Sequence, residues 1–159
     1  MTDARILLMR HAEKTGDPRD AHLSQVGYER AAKLADYIPA TFGIPRYLIA
    51  TSVSKHSTRP IETIQPLSDK IGVKIDATYA DQDYGALASQ LLSDARYADA
   101  GALILVCWHH GNIPSLAHAL KAEAGTYPDP WDPEVFNQIL SLTYAGGRKP
   151  EVATLTEPF

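Results

Sequence analysis

The sequence predicts an α/β protein, a three-layer α/β/α sandwich built on a mostly parallel central sheet. Apolar runs that are typical of buried strands alternate with stretches of helical period along the chain. The run Ala102 to Cys107 is the most apolar, as expected for a central strand covered on both faces. Because strands and helices alternate, we expect the strands to be joined by helical crossovers and to lie mainly parallel.

The composition predicts one soluble globular domain spanning residues 1–159. Apolar residues make up 45% of the chain and charged residues 21%. The formal net charge of −4 argues against nucleic acid and anionic membranes as partners. The single cysteine cannot form an internal disulfide. The apolar run Ile6 to Met9 is too short for a signal peptide, so a cytoplasmic location is the default expectation.

The first strand is predicted over Arg5 to Met9, and a helix follows a polar loop. Ser24 is placed to cap that helix, and Pro39 and Gly43 are expected to close it. One face of the helix would carry apolar and small residues at spacings of three and four, namely Leu23, Gly27, Ala31, Leu34 and Ile38.

A second buried strand is predicted over Tyr47 to Ala50, followed by a polar stretch and another helix. Pro60 suits the first turn of this helix and Gly72 its end. Pro66 lies inside the pattern, so we expect a kink or an early break there. A short strand around Val73 to Ile75 would follow.

Two further helices flank the central strand in the second half of the chain. Asp83 is placed to cap the first, and Asn112, with Pro114 in the first turn, the second. The remaining stretches, 138–143 and 151–156, are predicted to be two strands joined by a turn at Gly146 and Gly147.

Residues that can bind an anion or act as a nucleophile follow three of the predicted strands. Arg10 and His11 follow the first strand, Arg59 comes shortly after the second, and His109 and His110 follow the central one. In such sheets, ligands bind beyond the carboxyl ends of the strands. Guanidinium groups stabilise the charged oxygens of a phosphoryl group in transfer, and a neutral imidazole is a competent nucleophile. The arrangement predicts a receptor for a tetrahedral oxyanion with a histidine nucleophile inside it.

Four segments resemble the sequence blocks of the histidine phosphatase superfamily, in its small single-domain branch. They are Leu7 to Lys14 with Arg10-His11, Leu23 to Ala31, Arg59 to Thr63, and Val106 to Gly111 with His110-Gly111. The resemblance implies a phosphoglycerate mutase-like fold. It also implies a phosphoric monoester hydrolase of the histidine acid phosphatase type, acting on a phosphomonoester or a phosphohistidine.

The resemblance also assigns roles to individual residues. His11 would form a phosphohistidine intermediate, Arg10 and Arg59 would clamp the phosphoryl oxygens, and His110 would complete the pocket. No metal or other cofactor is implied, and the partner would be a phosphorylated small molecule or a phosphoprotein. Lys14 and Thr15 are further candidates for phosphate contact.

This chain departs from the family pattern in three ways. Ala12 stands where a glycine usually follows the first histidine, and about three extra residues precede Arg59. The general acid is not evident: Asp83 is the first candidate and Asp81 the alternative, unless the substrate is a phosphohistidine that needs no dedicated acid.

Other interpretations remain open from the sequence alone. The domain could be a catalytically silent phosphate-binding or regulatory module. A mutase is disfavoured by the short chain, and a metal-dependent hydrolase using His109 and His110 by the shortage of carboxylate ligands. His109 is expected to have a structural role, because neighbours on a strand point opposite ways. Substrate-selecting loops are predicted at 78–85 and 125–135, and neither substrate identity nor oligomeric state is predicted.

Overall fold

The computed structural model describes residues 3–159, which form a six-stranded mixed sheet in the order β3-β2-β4-β1-β5-β6. Strands β3, β2, β4 and β1 are parallel, whereas β5 runs antiparallel to β1 and β6 antiparallel to β5. The strands are β1 (Arg5–Arg10), β2 (Tyr47–Ala50), β3 (Ile75–Asp76), β4 (Leu103–Trp108), β5 (Gln138–Thr143) and β6 (Glu151–Thr156).

Helices cover both faces of the sheet, which confirms the predicted sandwich. They are α1 (Gln25–Phe42), α2 (Arg59–Ile71), α3 (Tyr84–Ser93) and α4 (Ile113–Ala119), with short 3₁₀ helices at Asp81–Asp83 and Ala95–Tyr97. In β1, Ile6 and Leu8 belong to the core under α3 and α4, whereas Leu7 and Met9 belong to the core under α1 and α2. This alternation is the two-residue period of a strand buried on both sides.

Helix α1 begins as the sequence predicts. The Ser24 side chain accepts a hydrogen bond from the backbone N–H of Gly27 at 3.1 Å. The chain leaves the helix at Gly43, whose φ of 99° suits glycine. Pro39 lies inside the last turns of the helix rather than ending it. The N-terminal end of α1 packs against the loop that follows β1, where Gly27 closely approaches the backbone of Glu13.

Helix α2 corrects one expectation. Pro60 lies in its first turn and Gly72 ends it in the left-handed conformation, as predicted. The expected early break at Pro66 is wrong, because the helix continues to Ile71. Pro66 removes one backbone donor. The buried side chains of Ile64 and Leu67 hold the turns on either side of it against the sheet.

The remaining elements agree with the sequence apart from small shifts. Strand β3 is only two residues long and begins at Ile75, where the predicted strand ends. The hairpin of β5 and β6 is confirmed, with Gly146 and Gly147 both at positive φ in its turn. Within residues 3–159, none of the helices combines the length and the apolar character needed to cross a bilayer.

Candidate active site

Strands β1 and β4 bring two histidines together where they end. Arg10 pairs with Trp108 in the parallel register, and the backbone N–H of His11 donates to the Trp108 carbonyl at 3.1 Å. His11 and His109 therefore emerge side by side. Their ring centroids are 5.3 Å apart in an edge-to-face arrangement.

A cavity of about 530 Å³ opens at this edge of the sheet. Four residues predicted to act together, Arg10, His11, Arg59 and His110, all line it. The other lining residues come from the loops after β1, β2, β3 and β4: Lys14, Thr51, Ser52, Val53, Ser54, His56, Ser57, Ala80, Asp81, Gln82, His109 and Gly111. Folding thus gathers these four residues around one hollow.

His11 is held in one tautomer. Its side chain is buried, and Nδ1 lies 2.7 Å from the Ala12 carbonyl oxygen, which can only accept a hydrogen bond. Nδ1 is therefore the donor, and the neutral ring carries its lone pair on Nε2. Burial, together with Arg10, His109 and Arg59, lowers the pKa of His11 to about 3. The backbone bond to Ala12 opposes this shift, and the ring is neutral at pH 7.

Arg10 is anchored before any ligand arrives. One terminal nitrogen, Nη1, donates to the carbonyl of Pro133 at 2.6 Å and to that of Val135 at 3.4 Å. The guanidinium carbon lies 3.8 Å from the centroid of the Phe136 ring, within the range of a cation–π contact. Burial, and then the charge of Arg59, lower the pKa of Arg10 to about 10, so the group remains a cation.

Arg59 is fixed in a similar way from the first turn of α2. Its Nη1 donates to the backbone carbonyl of Asp20 at 2.8 Å, and burial lowers the pKa of Arg59. Within residues 3–159, three buried side-chain polar atoms have no hydrogen-bond partner: Arg10 Nε, Arg59 Nε and Asp81 Oδ1. Buried polar groups are normally paired. The residues that carry these two cationic donors and this carboxylate oxygen all line one cavity, which suits a polar ligand.

Asp81, rather than Asp83, is the carboxylate at the cavity. Asp81 lines it, and its backbone carbonyl accepts hydrogen bonds from Trp108 Nε1 at 3.2 Å and Asn112 Nδ2 at 3.4 Å. Asp83 is exposed, lies at the start of α3 and is not among the residues that line the cavity. Of the two acid candidates, Asp81 therefore lies at the cavity and Asp83 does not. No local sequence signal reveals the contacts of Asp81 with Trp108 and Asn112.

The structure corrects the expectation for His109, which lines the cavity together with His110. Strand β4 ends at Trp108, so the alternation of a regular strand does not extend over the two histidines. His109 Nε2 lies 3.4 Å from Thr51 Oγ1. Burial lowers the pKa of both histidines; the charge of Asp81 opposes this for His109, and Arg10 adds to it for His110.

The two further candidates for phosphate contact, Lys14 and Thr15, differ in their position relative to the cavity. Lys14 is exposed and lines the cavity. Thr15 is not among the lining residues, and its hydroxyl donates to the Asp20 carboxylate at 3.2 Å.

The predicted substrate-selecting loops also differ in their placement. Residues 80–82 form part of the cavity wall, whereas no residue of the stretch 125–135 does. That stretch instead supplies the carbonyls of Pro133 and Val135 that hold Arg10. The longer loop before Arg59 contributes a wall of its own, with Ser52, Val53, Ser54, His56 and Ser57.

The described residues give less support to a metal-dependent hydrolase or to a cysteine nucleophile. Within residues 3–159, no group of three or more His, Cys, Asp or Glu side chains is arranged to hold a metal ion. Cys107 is fully buried in β4, and burial raises the pKa of its thiol, which is the behaviour of a packing residue rather than a nucleophile.

Comparison with known proteins identifies the fold. No protein-family model matches the sequence, and no curated protein matches it. Among solved structures, the protein histidine phosphatase SixA in complex with tungstate is similar at a TM-score of 0.65 and 16% identity, over 96% of both chains. A mycobacterial glucosyl-3-phosphoglycerate phosphatase with inorganic phosphate gives 0.58 and 13%, over 98% of this chain and 97% of that one.

A phosphoglycerate mutase from Plasmodium falciparum is also similar, with a TM-score of 0.60 and 15% identity over 100% of this chain and 91% of the mutase. All three share the phosphoglycerate mutase-like α/β fold of histidine phosphatases, and the present chain has that fold.

Proposed function

We propose that this chain, which has the fold of histidine phosphatases, hydrolyses a phosphomonoester or a phosphohistidine through a covalent phosphohistidine on His11, without a metal ion. The observation that carries the proposal is the pair of unpartnered guanidinium nitrogens, Arg10 Nε and Arg59 Nε, around a cavity that His11 also lines. Fixed cationic donors beside a neutral imidazole form a binding site that stabilises the negative charge of a phosphoryl group.

In the first step, the lone pair of His11 Nε2 attacks phosphorus. The bond from phosphorus to the leaving atom breaks, and that atom keeps the electron pair. Arg10 and Arg59 stabilise the equatorial oxygens, and the Nδ1–H bond to the Ala12 carbonyl stabilises the positive charge that develops on the ring. For an alcohol leaving group, we assign to Asp81 the proton that the leaving oxygen takes.

In the second step, water attacks the phosphorus of the phosphohistidine. Asp81, now a carboxylate, takes the proton from that water, the bond between Nε2 and phosphorus breaks, and the ring recovers its lone pair. The sum of the two steps is substrate and water giving an alcohol and phosphate. The same groups cleave a phosphohistidine, whose imidazole leaving group depends less on Asp81.

The proposal is tested by His11→Ala with p-nitrophenyl phosphate in the presence of excess chelator. We expect wild-type turnover to persist in chelator and His11→Ala to be inactive, because the variant lacks the imidazole that attacks phosphorus. His118→Ala is the matched control: His118 is exposed on α4 and outside the cavity, and its loss should leave turnover unchanged. Turnover that survives His11→Ala would contradict the mechanism.

The assignment of the acid is tested by comparing Asp81→Asn with Asp83→Asn. General acid catalysis is worth about 10² to 10⁴ in rate. We therefore expect Asp81→Asn to lower kcat on an alkyl phosphate by at least about 100-fold. On p-nitrophenyl phosphate the initial burst of p-nitrophenolate should persist, since p-nitrophenolate leaves without a proton, and only the later hydrolysis of the phosphohistidine should slow. Asp83→Asn should match the wild type on both substrates; equal losses in the two variants would refute the assignment.

A silent phosphate-binding module is the second candidate. It is favoured by the 2% exposure of His11, because a nearly covered imidazole suits a binding pocket as well as a shielded nucleophile. Tungstate binding by calorimetry, together with no turnover on alkyl, aryl or histidine phosphates, would identify this alternative. A mutase would instead transfer the phosphoryl group between two hydroxyls of an added phosphorylated acceptor.

A further inference from the structure

Arg30 of α1 is the centre of a polar cluster that lies outside the cavity wall. Its Nε and Nη2 donate to the two carboxylate oxygens of Glu13, at 2.9 and 3.0 Å. Its Nη1 donates to Glu157 Oε1 at 2.9 Å and to the backbone carbonyl of Phe159 at 2.7 Å. All but one of the guanidinium donor directions are thereby used by groups more than 120 residues away or in the loop after β1.

The first branch of this cluster reaches the nucleophile. Glu13 follows Ala12, whose carbonyl receives the Nδ1–H of His11. The N–H of Ala12 donates to Thr63 Oγ1 at 2.9 Å, and the carbonyl of Glu13 accepts from the N–H of Ser24 at 2.9 Å. With Arg30 holding the Glu13 side chain as well, the peptide unit between Ala12 and Glu13 is fixed from both sides.

The second branch of the cluster reaches the segment that holds Arg10. The N–H of Glu157 donates to the carbonyl of Asn137 at 2.7 Å. The neighbouring residue, Phe136, lies against the Arg10 guanidinium, and its ring centroid is 6.2 Å from that of His11. Glu157 therefore links Arg30 to the segment that holds Arg10.

The cluster is buried, unlike an ordinary solvent-exposed ion pair. The Glu157 side chain is 1% exposed and that of Arg30 is 12% exposed. Burial raises the pKa of Glu157 to about 7, and the hydrogen bond from Arg30 opposes this. A buried ion pair often adds little net stability, so its presence here is better explained by the geometry that it imposes.

We propose that Glu13, Arg30 and Glu157 are positioning residues, which hold the Ala12 carbonyl where it keeps His11 in the tautomer with Nε2 unprotonated. None of the three touches the substrate. Arg30 and Glu157 act through Glu13 on the backbone acceptor of the imidazole, and the kinetic part of this inference rests on the proposed function.

The direct test is the tautomer of His11, followed by ¹⁵N NMR in Arg30→Gln and Glu13→Gln. In the wild type we expect Nδ1 protonated and Nε2 unprotonated; in both variants a mixture of tautomers should appear. The matched control is Arg46→Gln, which breaks an exposed ion pair with Asp99 and should leave the His11 signals unchanged. This readout needs no turnover, so it survives a failure of the proposed catalytic function.

The kinetic test separates positioning from general damage. Misplacing a nucleophile by about 1 Å costs on the order of 100-fold in rate. We expect Arg30→Gln and Glu13→Gln to lower kcat by about 10-fold to 100-fold. The dissociation constant for inorganic phosphate should change little, because the contacts of Arg10 with Pro133, Val135 and Phe136 and the backbone bond from Glu157 to Asn137 do not involve the Arg30 side chain. Glu157→Gln, which keeps the side-chain shape, should give a smaller loss in kcat than Arg30→Gln.

Two results would overturn the inference. One is an unchanged His11 tautomer in a folded Arg30→Gln or Glu13→Gln variant. The other is a loss of phosphate affinity as large as the loss of kcat, which would indicate collapse of the whole site. If Arg30→Gln does not fold, Glu13→Gln decides the outcome alone, since Glu13 is partly exposed and its loss leaves Glu157 paired with Arg30.

Discussion

Histidines of this chain differ in pKa because their surroundings differ. His11 and His22 are both histidines, yet burial lowers the pKa of the first to about 3, whereas a hydrogen bond to Glu62 raises the pKa of the second. His22 Nδ1 lies 2.6 Å from a Glu62 oxygen on an exposed surface. The chain thus contains both a shielded neutral imidazole and a solvent-facing one whose pKa is raised.

These two histidines allow one prediction at the scale of the residue. In an NMR titration between about pH 5 and pH 8, the His11 ring signals should not move, because the ring stays neutral throughout. The His22 signals should titrate, with a midpoint above that of an ordinary histidine. Movement of the His11 signals near pH 6.5 would show that the imidazole is not shielded as the structure indicates.

At the scale of the element, the packing of α1 against the loop after β1 depends on one missing side chain. A Cβ built on Gly27 would lie 2.2 Å from the backbone oxygen of Glu13. Backbone cannot move aside as the end of a flexible side chain can, so the helix or the loop would have to shift. The glycine in the second sequence block is therefore explained by close contact between a helix and the segment that follows His11.

We predict that Gly27→Ala destabilises the protein by about 1–3 kcal/mol, the usual cost of forcing atoms into a filled core. Urea unfolding measures the change. Gly85→Ala is the control, because its Cβ would meet nothing within 4 Å in the first turn of α3. That variant should be roughly 0.5 kcal/mol more stable than the wild type. Similar stabilities for the two variants would show that α1 can move away from Glu13.

Elements also account for most of what the sequence could and could not predict. Arg10, His11, Arg59 and His110 were predictable because each lies at or near the end of a parallel strand. The partners of Arg10 at Pro133 and Val135 were not, since they come from an irregular stretch with no periodic pattern. The role of Pro66 was misjudged for the opposite reason, because tertiary packing overrides a local signal against a helix.

The Arg30 cluster lay beyond sequence reasoning for a further reason. Arg30 and Glu157 are separated by 127 positions, and no motif relates them. The same holds for the choice between Asp81 and Asp83, which lie two residues apart and differ only in the tertiary contacts around them. Sequence periodicity assigns residues to a face or an edge of an element. It does not show which side chains far apart in the sequence contact each other in the folded chain.

At the scale of the whole molecule, the buried Glu157 links stability to pH. Its pKa is raised to about 7 in the folded state, so between the ordinary value of 4.5 and about 7 the folded chain holds a proton that the unfolded chain has lost. This group therefore lowers the free energy of unfolding as pH rises through that window. One pH unit corresponds to about 1.4 kcal/mol, so the total effect is on the order of 3 kcal/mol.

Glu157→Gln should remove this contribution. We expect its free energy of unfolding, measured by urea at several pH values, to fall less steeply between about pH 5 and pH 7 than that of the wild type. Glu151→Gln, at an exposed position of β6, should leave the slope as it is. Parallel profiles for Glu157→Gln and the wild type would show that Glu157 is already ionised in the folded protein at pH 5.

The anchoring of Arg10 on Pro133, Val135 and Phe136 has a thermodynamic consequence for turnover. An arginine free in solvent loses up to about 2 kcal/mol of rotamer entropy when a ligand immobilises it. Here folding has already immobilised the side chain. The conformational-entropy cost of binding an anion to this guanidinium is therefore smaller. For the function proposed above, inorganic phosphate is the product and gains as much affinity as the substrate does, so we expect product inhibition and slow phosphate release.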